Sequence, residues 1–229
     1  MKKTINYLAI IPARKGSKGI KNKNITLIKK KKLIEYTFKS ASKSKLVEKI
    51  YLTTNDERII KILPKYKKIN LITRDDKLST SKSNIKEAII DAAKRISEKE
   101  NAIIKNIIIL QPTSPQRSNL DIDDAIRYFK KKKSKILFSI SKPINHPNEL
   151  IYFDKNLPIK VIIEKKKFHN RQEYKNFYFI NGSIFISNLK YYLDNKNLIN
   201  HKASFFKMEK KHSIDLDDNF DKSILKNFL

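Results

Sequence analysis

Short apolar runs alternate with stretches of helical spacing along most of this chain. Tyr7 to Ile11 reads as a first strand. Leu33 to Lys43 follows, with Leu33, Tyr36, Thr37 and Ser40 on one helical face. Lys49 to Thr53 is a second strand, ending at Thr54-Asn55-Asp56, where Asn55 or Asp56 can cap the next helix. Asn70 to Thr73 is a short strand, and Asn84 to Ile96 a helix with Ile85, Ala88, Ile89, Ala92 and Ile96 on one side. Asn106 to Leu110 is the kind of apolar strand that a parallel sheet buries on both faces. Two prolines make Gln111-Pro112-Thr113-Ser114-Pro115 a loop. Ile122 to Lys130 is helical, and Lys135 to Ile140 is again a strand. This βαβ alternation predicts an α/β fold with a doubly wound, mostly parallel sheet.

The pattern changes between residues 142 and 178. Pro143, Pro147 and Pro158 separate two β-like runs, Leu150 to Phe153 and Ile159 to Ile163, which predict an inserted hairpin arm suited to oligomerisation. Phe177 to Ile186 returns to the core as a strand. Ser213 to Leu229 reads as an extended piece and a last helix. The expectation is one domain over residues 1–229, carrying the arm as an insertion.

Composition narrows the class. With no cysteine, disulfide frameworks and thiolate metal sites are excluded. No apolar stretch approaches a membrane span, and Met-Lys-Lys is not followed by the long apolar region of a signal peptide, so the expected location is the cytoplasm. The net charge of +28 invites a nucleic-acid reading. Against it, the lysines are spread over the whole chain among Asn and Ile, a pattern that AT-rich coding would produce. Lysine also outnumbers the arginine that bidentate base readout favours. Neither a nucleic-acid nor a membrane partner is expected.

The chain holds only three glycines. Gly16 and Gly19 lie in Ile11-Pro12-Ala13-Arg14-Lys15-Gly16-Ser17-Lys18-Gly19, just after the first apolar strand. Gly182 lies in Asn181-Gly182-Ser183. The first loop can aim several backbone N–H groups at one anion while Arg14 and Lys18 add charge; a basic surface turn is the alternative. In Ser213-Ile214-Asp215-Leu216-Asp217, an extended backbone turns Ile214 and Leu216 inward and sends both carboxylates outward. Two hard oxygen ligands on one side suit Mg²⁺; a solvated edge strand is the alternative. Asp121, Asp123 and Asp124 lie at a helix start and read as structural. Gln111, Thr113, Ser114 and Arg117 follow the most buried strand, where open α/β sheets bind ligands. Arg171 can pair with a carboxylate or be one more surface cation. The histidines have no metal-ligand spacing.

Four segments together resemble the acylneuraminate cytidylyltransferases, the CMP-sialic and CMP-nonulosonic acid synthetases. They are residues 11–19 with Lys23-Asn24, Leu110 to Pro115 with Arg117, Arg171-Gln172 with Asn181 to Ile186, and Ser213 to Asp217. They run in family order over essentially the whole chain. The resemblance implies a nucleotide-diphospho-sugar transferase-like, Rossmann-type fold. It implies transfer of CMP from CTP to the C2 hydroxyl of a nonulosonic acid, with Mg²⁺, in a homodimer whose arm crosses to the partner. It assigns Ala13, Arg14, Gly16, Ser17, Lys18, Asn24 and Arg74 to the nucleotide, and Gln111, Arg171 and Asn181 to the sugar acid. Asp215 and Asp217 would hold the metal, with Arg14, Lys18 and Asp217 carrying catalysis.

There are departures. The family usually reads Ser-Thr-Asp where this chain has Thr53-Thr54-Asn55, and a frequent aspartate is Ser81 here. Where some members have a second arginine before Asn-Gly, this chain has Phe177-Tyr178-Phe179-Ile180, as in relatives that use pseudaminic or legionaminic acid. A cytidylyltransferase for the eight-carbon acid KDO, a homologue without turnover and a basic nucleic-acid-binding module are the alternatives.

Overall fold

The computed structural model describes residues 2–16, 19–80, 83–154, 157–160 and 175–229. The chain opens with β1 (Lys3–Pro12), a two-stranded ribbon of β2 (Leu27–Ile28) and β3 (Lys31–Lys32), and α1 (Leu33–Lys43). There follow β4 (Lys49–Thr54), α2 (Glu57–Ile60), β5 (Ile69–Thr73), α3 (Ile85–Lys99), β6 (Ala102–Ile109), α4 (Asn119–Lys131) and β7 (Ile136–Ser141). Then come β8 (Ile151–Asp154), β9 (Leu157–Lys160), β10 (Phe179–Asn188), α5 (Leu189–Asp194), β11 (Ala203–Lys207) and α6 (Asn219–Phe228).

Seven strands form one sheet in the order β11-β7-β10-β6-β1-β4-β5. Every neighbouring pair is parallel except those made by β10, which runs antiparallel to both β6 and β7. The doubly wound, mostly parallel sheet is thus as predicted. The reversed β10 has a consequence for the site. Its first residues, including Asn181 and Gly182, lie at the edge where the parallel strands end.

Side-chain alternation divides the core between the two faces. Ala9 and Ile11 of β1 and Ile108 of β6 join Leu110 against Phe38 and Ala41 of α1 and Ile122 and Ile126 of α4. Leu8, Ile10, Ile107 and Ile109 pack the other face against Ile89, Ala92 and Ile96 of α3. Caps fix the helix starts. The Asn84 side chain accepts from Lys86 N at α3, and Ser118 with Asp121 forms a capping box at α4.

The differences from the sequence reading are local. Ile85 is 47% exposed, because it stands in the first turn of α3 and lines an open cavity rather than packing on the sheet. Ile34, Phe38 and Ala41 are buried with Leu33, Thr37 and Ser40 on α1, a wider apolar face than the spacing suggested. The elements α5 and β11 had no clear signal; β11 is a short edge strand with no fully buried residue. In the arm, β8 and β9 pair as an antiparallel ladder outside the main sheet, with Ile151, Tyr152, Phe153 and Leu157 exposed. Residues 161–163, expected in its second strand, lie outside the described residues.

Candidate active site

The carboxyl edge of the sheet surrounds a cavity of about 400 Å³, lined by Arg14, Asn24, Arg74, Gln111, Asp215 and Asp217 among others. The glycine loop is tied down around it. Ala13 N donates to Thr53 O (3.0 Å), and Thr54 Oγ1 donates to Ala13 O (2.5 Å). Lys15 N donates to Asn55 Oδ1 (2.8 Å), and Asn24 Nδ2 to Arg14 O (3.3 Å). Gly16 has φ +76°, a left-handed conformation that a side chain would strain. Gly19 is glycine for another reason: a Cβ there would lie 2.7 Å from the backbone oxygen of Asp217. The loop thus packs directly on the acidic segment. Ser17 and Lys18 lie outside the described residues.

Asn55 accepts from Lys15 N and also donates through Nδ2 to Asp76 Oδ1 (2.8 Å). An aspartate, as the family usually has, would set two carboxylates against each other at this distance. Asn55 is therefore matched to Asp76 in this chain. Asp56 caps α2 and accepts from Arg58 N, Nε and Nη2.

Arg74 is only 5% exposed. Its N–H donates to Thr54 O (2.9 Å) and its Nε to Thr53 Oγ1 (3.4 Å), but its Nη2 is buried without a hydrogen-bond partner among the described residues. Burial first, and then the positive charge of Arg14, pushes the guanidinium down to about 10. Two cations that repel each other beside one cavity, one with an unanswered N–H, make a site for an anion.

The two aspartates are less alike than their spacing predicts. The segment 213–217 is irregular rather than an edge strand. Leu216 is buried with Ile28, Leu33 and Leu225, and its N–H donates to Thr113 O (2.9 Å). Asp217 points outward and is 74% exposed, with Lys23 Nζ on its Oδ1 at 2.8 Å. Asp215 is instead half-buried. Burial pushes its carboxyl up, a hydrogen bond from Thr113 opposes this, and the charge of Asp217 adds to it. Its Oδ1 is buried without a partner among the described residues. One carboxylate with an orphaned oxygen and another already bearing an ammonium suit a hard divalent cation. No third His, Asp or Glu completes a metal cluster among the described residues.

Asn181 is held by the residues around it. It is 3% exposed; its Nδ2 donates to Ser213 Oγ (2.9 Å), and its Oδ1 accepts from Ser139 Oγ (2.5 Å) and Ser183 N (3.1 Å). Its side chain ties β7, β10 and the acidic segment together. Gln111 does line the cavity. Its Nε2 is 3.7 Å from where a Cβ of Gly182 would be, and Gly182 has φ +67°. Arg117 is 2% exposed: Nη1 donates to Gln111 O (3.1 Å) and Ser183 O (2.6 Å), and Nη2 to Thr37 Oγ1 (2.8 Å). Burial pushes it down to about 10, against the charges of Asp121 and Asp215.

The other acidic cluster is structural. Asp121 completes the α4 capping box, Asp123 accepts from Ser44 Oγ and from Lys45 and Leu46 N, and Asp124 pairs with Arg127. Arg171 and Ser81 lie outside the described residues. The structure also brings Lys23 and Thr113, named in the sequence only with their motifs, to the cavity. Lys23 adjoins Asn24 in the first motif, but its contact with Asp217 spans 194 positions and has no local signal. Phe179 and Ile180 are 42% exposed each, and Phe179 lines a second, mainly apolar cavity of about 380 Å³ with Ile144, Ile214 and Phe228, which reaches Asp215.

Comparison with known proteins bears on the family and the fold. A family model described as Cytidylyltransferase matches residues 8–228. An N-acylneuraminate cytidylyltransferase of Escherichia coli O18:K1:H7 is 32% identical over 216 residues, 93% of this chain and 50% of that protein. The chain spans about half the length of the N-acylneuraminate relatives it matches. A pseudaminic acid cytidylyltransferase of Campylobacter jejuni is 27% identical over 210 residues, 92% of this chain and 90% of the other. Among solved structures, a CMP:2-keto-3-deoxy-manno-octonic acid synthetase complexed with CTP superposes with a TM-score of 0.68 at 12% identity, covering 97% of each chain; this likeness is one of fold. With the family model spanning nearly the whole sequence, and with the glycine loop and acidic segment meeting at one cavity, the chain belongs to the cytidylyltransferase family.

Proposed function

We propose that this chain transfers CMP from CTP to the C2 hydroxyl of a nonulosonic acid. The hydroxyl oxygen bonds to the α-phosphorus and gives up its proton to solvent, the bond from the α-phosphorus to the bridging oxygen of the β-phosphate breaks, and pyrophosphate leaves. The observation that carries this reading is the cavity itself, with Arg14 and the under-bonded Arg74 on one side and Asp215 and Asp217 on another. Membership of the family and the printed activities of the relatives support the same reaction.

Arg14 and Arg74 bind the triphosphate, and Lys18 joins them from the same loop. Gly16 lets the backbone come close, Asn24 holds the loop through Arg14 O, and Ala13 fixes it to β4. Asp215 and Asp217 would hold Mg²⁺, which when bound would supply positive charge against the phosphates. Gln111, with Arg171, takes the sugar acid. Catalysis is then mainly positioning and charge stabilisation.

The sugar is proposed from the second cavity. Its Phe179, Ile144 and Ile214 surface suits the methyl and deoxy positions of pseudaminic or legionaminic acid better than a hydroxyl-rich chain. The exposed Ile151, Tyr152, Phe153 and Leu157 of the arm suit a homodimer, which sedimentation would detect. No helix among the described residues is long and apolar enough to cross a membrane, and the cytoplasm, where CTP is available, is the proposed location.

The test is pyrophosphate release from CTP and Mg²⁺ with N-acetylneuraminic, legionaminic, pseudaminic acid and KDO in parallel. Release with a nonulosonic acid is expected. A clear preference for N-acetylneuraminate would reject the deoxy-sugar assignment, and turnover of KDO alone would move the enzyme to the eight-carbon class. Folded protein that does not bind CTP would overturn the reading.

A further inference from the structure

The β6–β10 ladder stops short of the site. Its last paired residues at that end are Ile109 and Phe185, with the register running back to Asn106 and Asn188. Continued for one more pair on the same face, the register would set Gln111 opposite Ser183. No such backbone pairing forms, and the pairing of β10 with β7 shifts register between Ile180 and Phe185. Gly182, at φ +67°, turns the chain within this bulge. The two strands therefore separate where the cavity begins, leaving carbonyl groups that a closed ladder would have satisfied.

Arg117 fills that gap. Its Nη1 bonds both orphaned carbonyls, Gln111 O and Ser183 O, and its Nη2 is anchored by Thr37 Oγ1 of α1. No carboxylate lies within ion-pair distance of it, and its Nε has no partner, among the described residues. Burying a cation with neutral acceptors in contact and Asp121 and Asp215 only beyond ion-pair distance is unfavourable, and an apolar side chain of like size would serve packing better. Lysine has no planar fork to reach three acceptors on three segments.

Resting on the cytidyl-transfer reading above, we propose that Arg117 is a positioning residue that wedges β6 and β10 apart and so sets Gln111 for the sugar acid. It touches no substrate. It acts through the backbone of Gln111 on one side and of the Gly182-Ser183 turn on the other. The nucleotide side of the cavity hangs on β1, β4 and β5 and does not depend on it.

The experiment compares wild type with Arg117→Lys and the milder Thr37→Val, which removes only the anchor of Nη2. Hydrogen exchange is followed by mass spectrometry, CTP affinity by calorimetry, and kcat and KM for the sugar acid by pyrophosphate release. Expected are faster exchange confined to residues 108–118 and 180–186, unchanged CTP affinity, and a fall in kcat/KM for the sugar acid on the order of 10²-fold in Arg117→Lys, as for a small misplacement of a positioning group. Thr37→Val should move the same quantities less. Unchanged exchange and kinetics would overturn the proposal. So would a parallel loss of CTP affinity, sugar kinetics and melting temperature, which marks a purely structural residue. If wild type turns over none of the sugars, the reaction reading fails on its own, and localised exchange in the two segments still decides whether Arg117 holds the gap.

Discussion

The two sides of the cavity solve opposite problems with similar residues. On the side proposed for the nucleotide, Arg14 and Arg74 repel each other and an Arg74 N–H goes unanswered among the described residues. On the side proposed for the sugar, Asn181 uses both ends of its amide within the protein, meeting Ser139, Ser183 and Ser213 in one buried layer beside the Met208 sulfur. A polar residue at a ligand edge is thus not a ligand contact by virtue of its place. What distinguishes the two is whether its hydrogen bonds are already made.

The sharpest break in this contrast is at Asp217. Its side chain is mostly exposed and its ion pair is with Lys23, so Asp217→Ala should leave the melting temperature unchanged. Pyrophosphate release should fall by roughly 10³-fold, the scale of losing a main electrostatic group. Near-normal turnover would remove Asp217 from the metal site. Arg74→Met comes next. Losing a charge-assisted contact to phosphate should weaken CTP binding by roughly 10–100-fold in calorimetry. Because the variant also removes a desolvated, under-bonded cation, its melting temperature should hold or rise. A fall in stability with intact CTP binding would show that Arg74 belongs with the sealed side.

Asn181→Ala should do the reverse. It strands Ser139, Ser213 and Ser183 N in a buried layer, at about 2 kcal/mol or roughly 4–8 °C in a thermal melt. CTP affinity should not change. A variant of wild-type stability that lost only sugar binding would restore Asn181 as a ligand contact. The smallest effect concerns Asp56, the N-cap of α2. Hydrogen bonds from Arg58 hold its carboxyl below the ordinary value of 3.8 despite burial. Its stabilisation is therefore present above that value and is lost as pH falls through the lower, folded one. Asp56→Asn should cost about 1 kcal/mol at neutral pH, with Arg58 partly exposed, and the difference should fade in acid melts below about pH 4. A difference independent of pH would mean that the charge plays no part.

Much of this was legible along the chain. The apolar strand at Asn106 to Leu110, the cap of α2 at one of Asn55 and Asp56, and the helices from Leu33 and from Asn84 follow from local periodicity and capping chemistry. The glycines were informative because they are so few. Gly16 and Gly182 do take positive φ, and Gly19 does meet a close backbone approach. Less legible were β11 and α5, whose short, half-exposed residues leave no clear period.

The sequence by itself determined the alternation of elements, the glycine loop at the end of the first strand and the motifs that together mark the family. These are set by nearest neighbours: side-chain period, φ, and the capping of adjacent N–H groups. Only the tertiary structure decided which polar groups were left with open valences. That Asp215 is half-buried and Asp217 free to solvent, that Lys23 crosses to Asp217, that Asn181 is spent internally and that Arg117 occupies the gap between β6 and β10 all depend on groups far apart in the chain. Burial and hydrogen-bond satisfaction are properties of the packed neighbourhood, and no spacing along a strand encodes them.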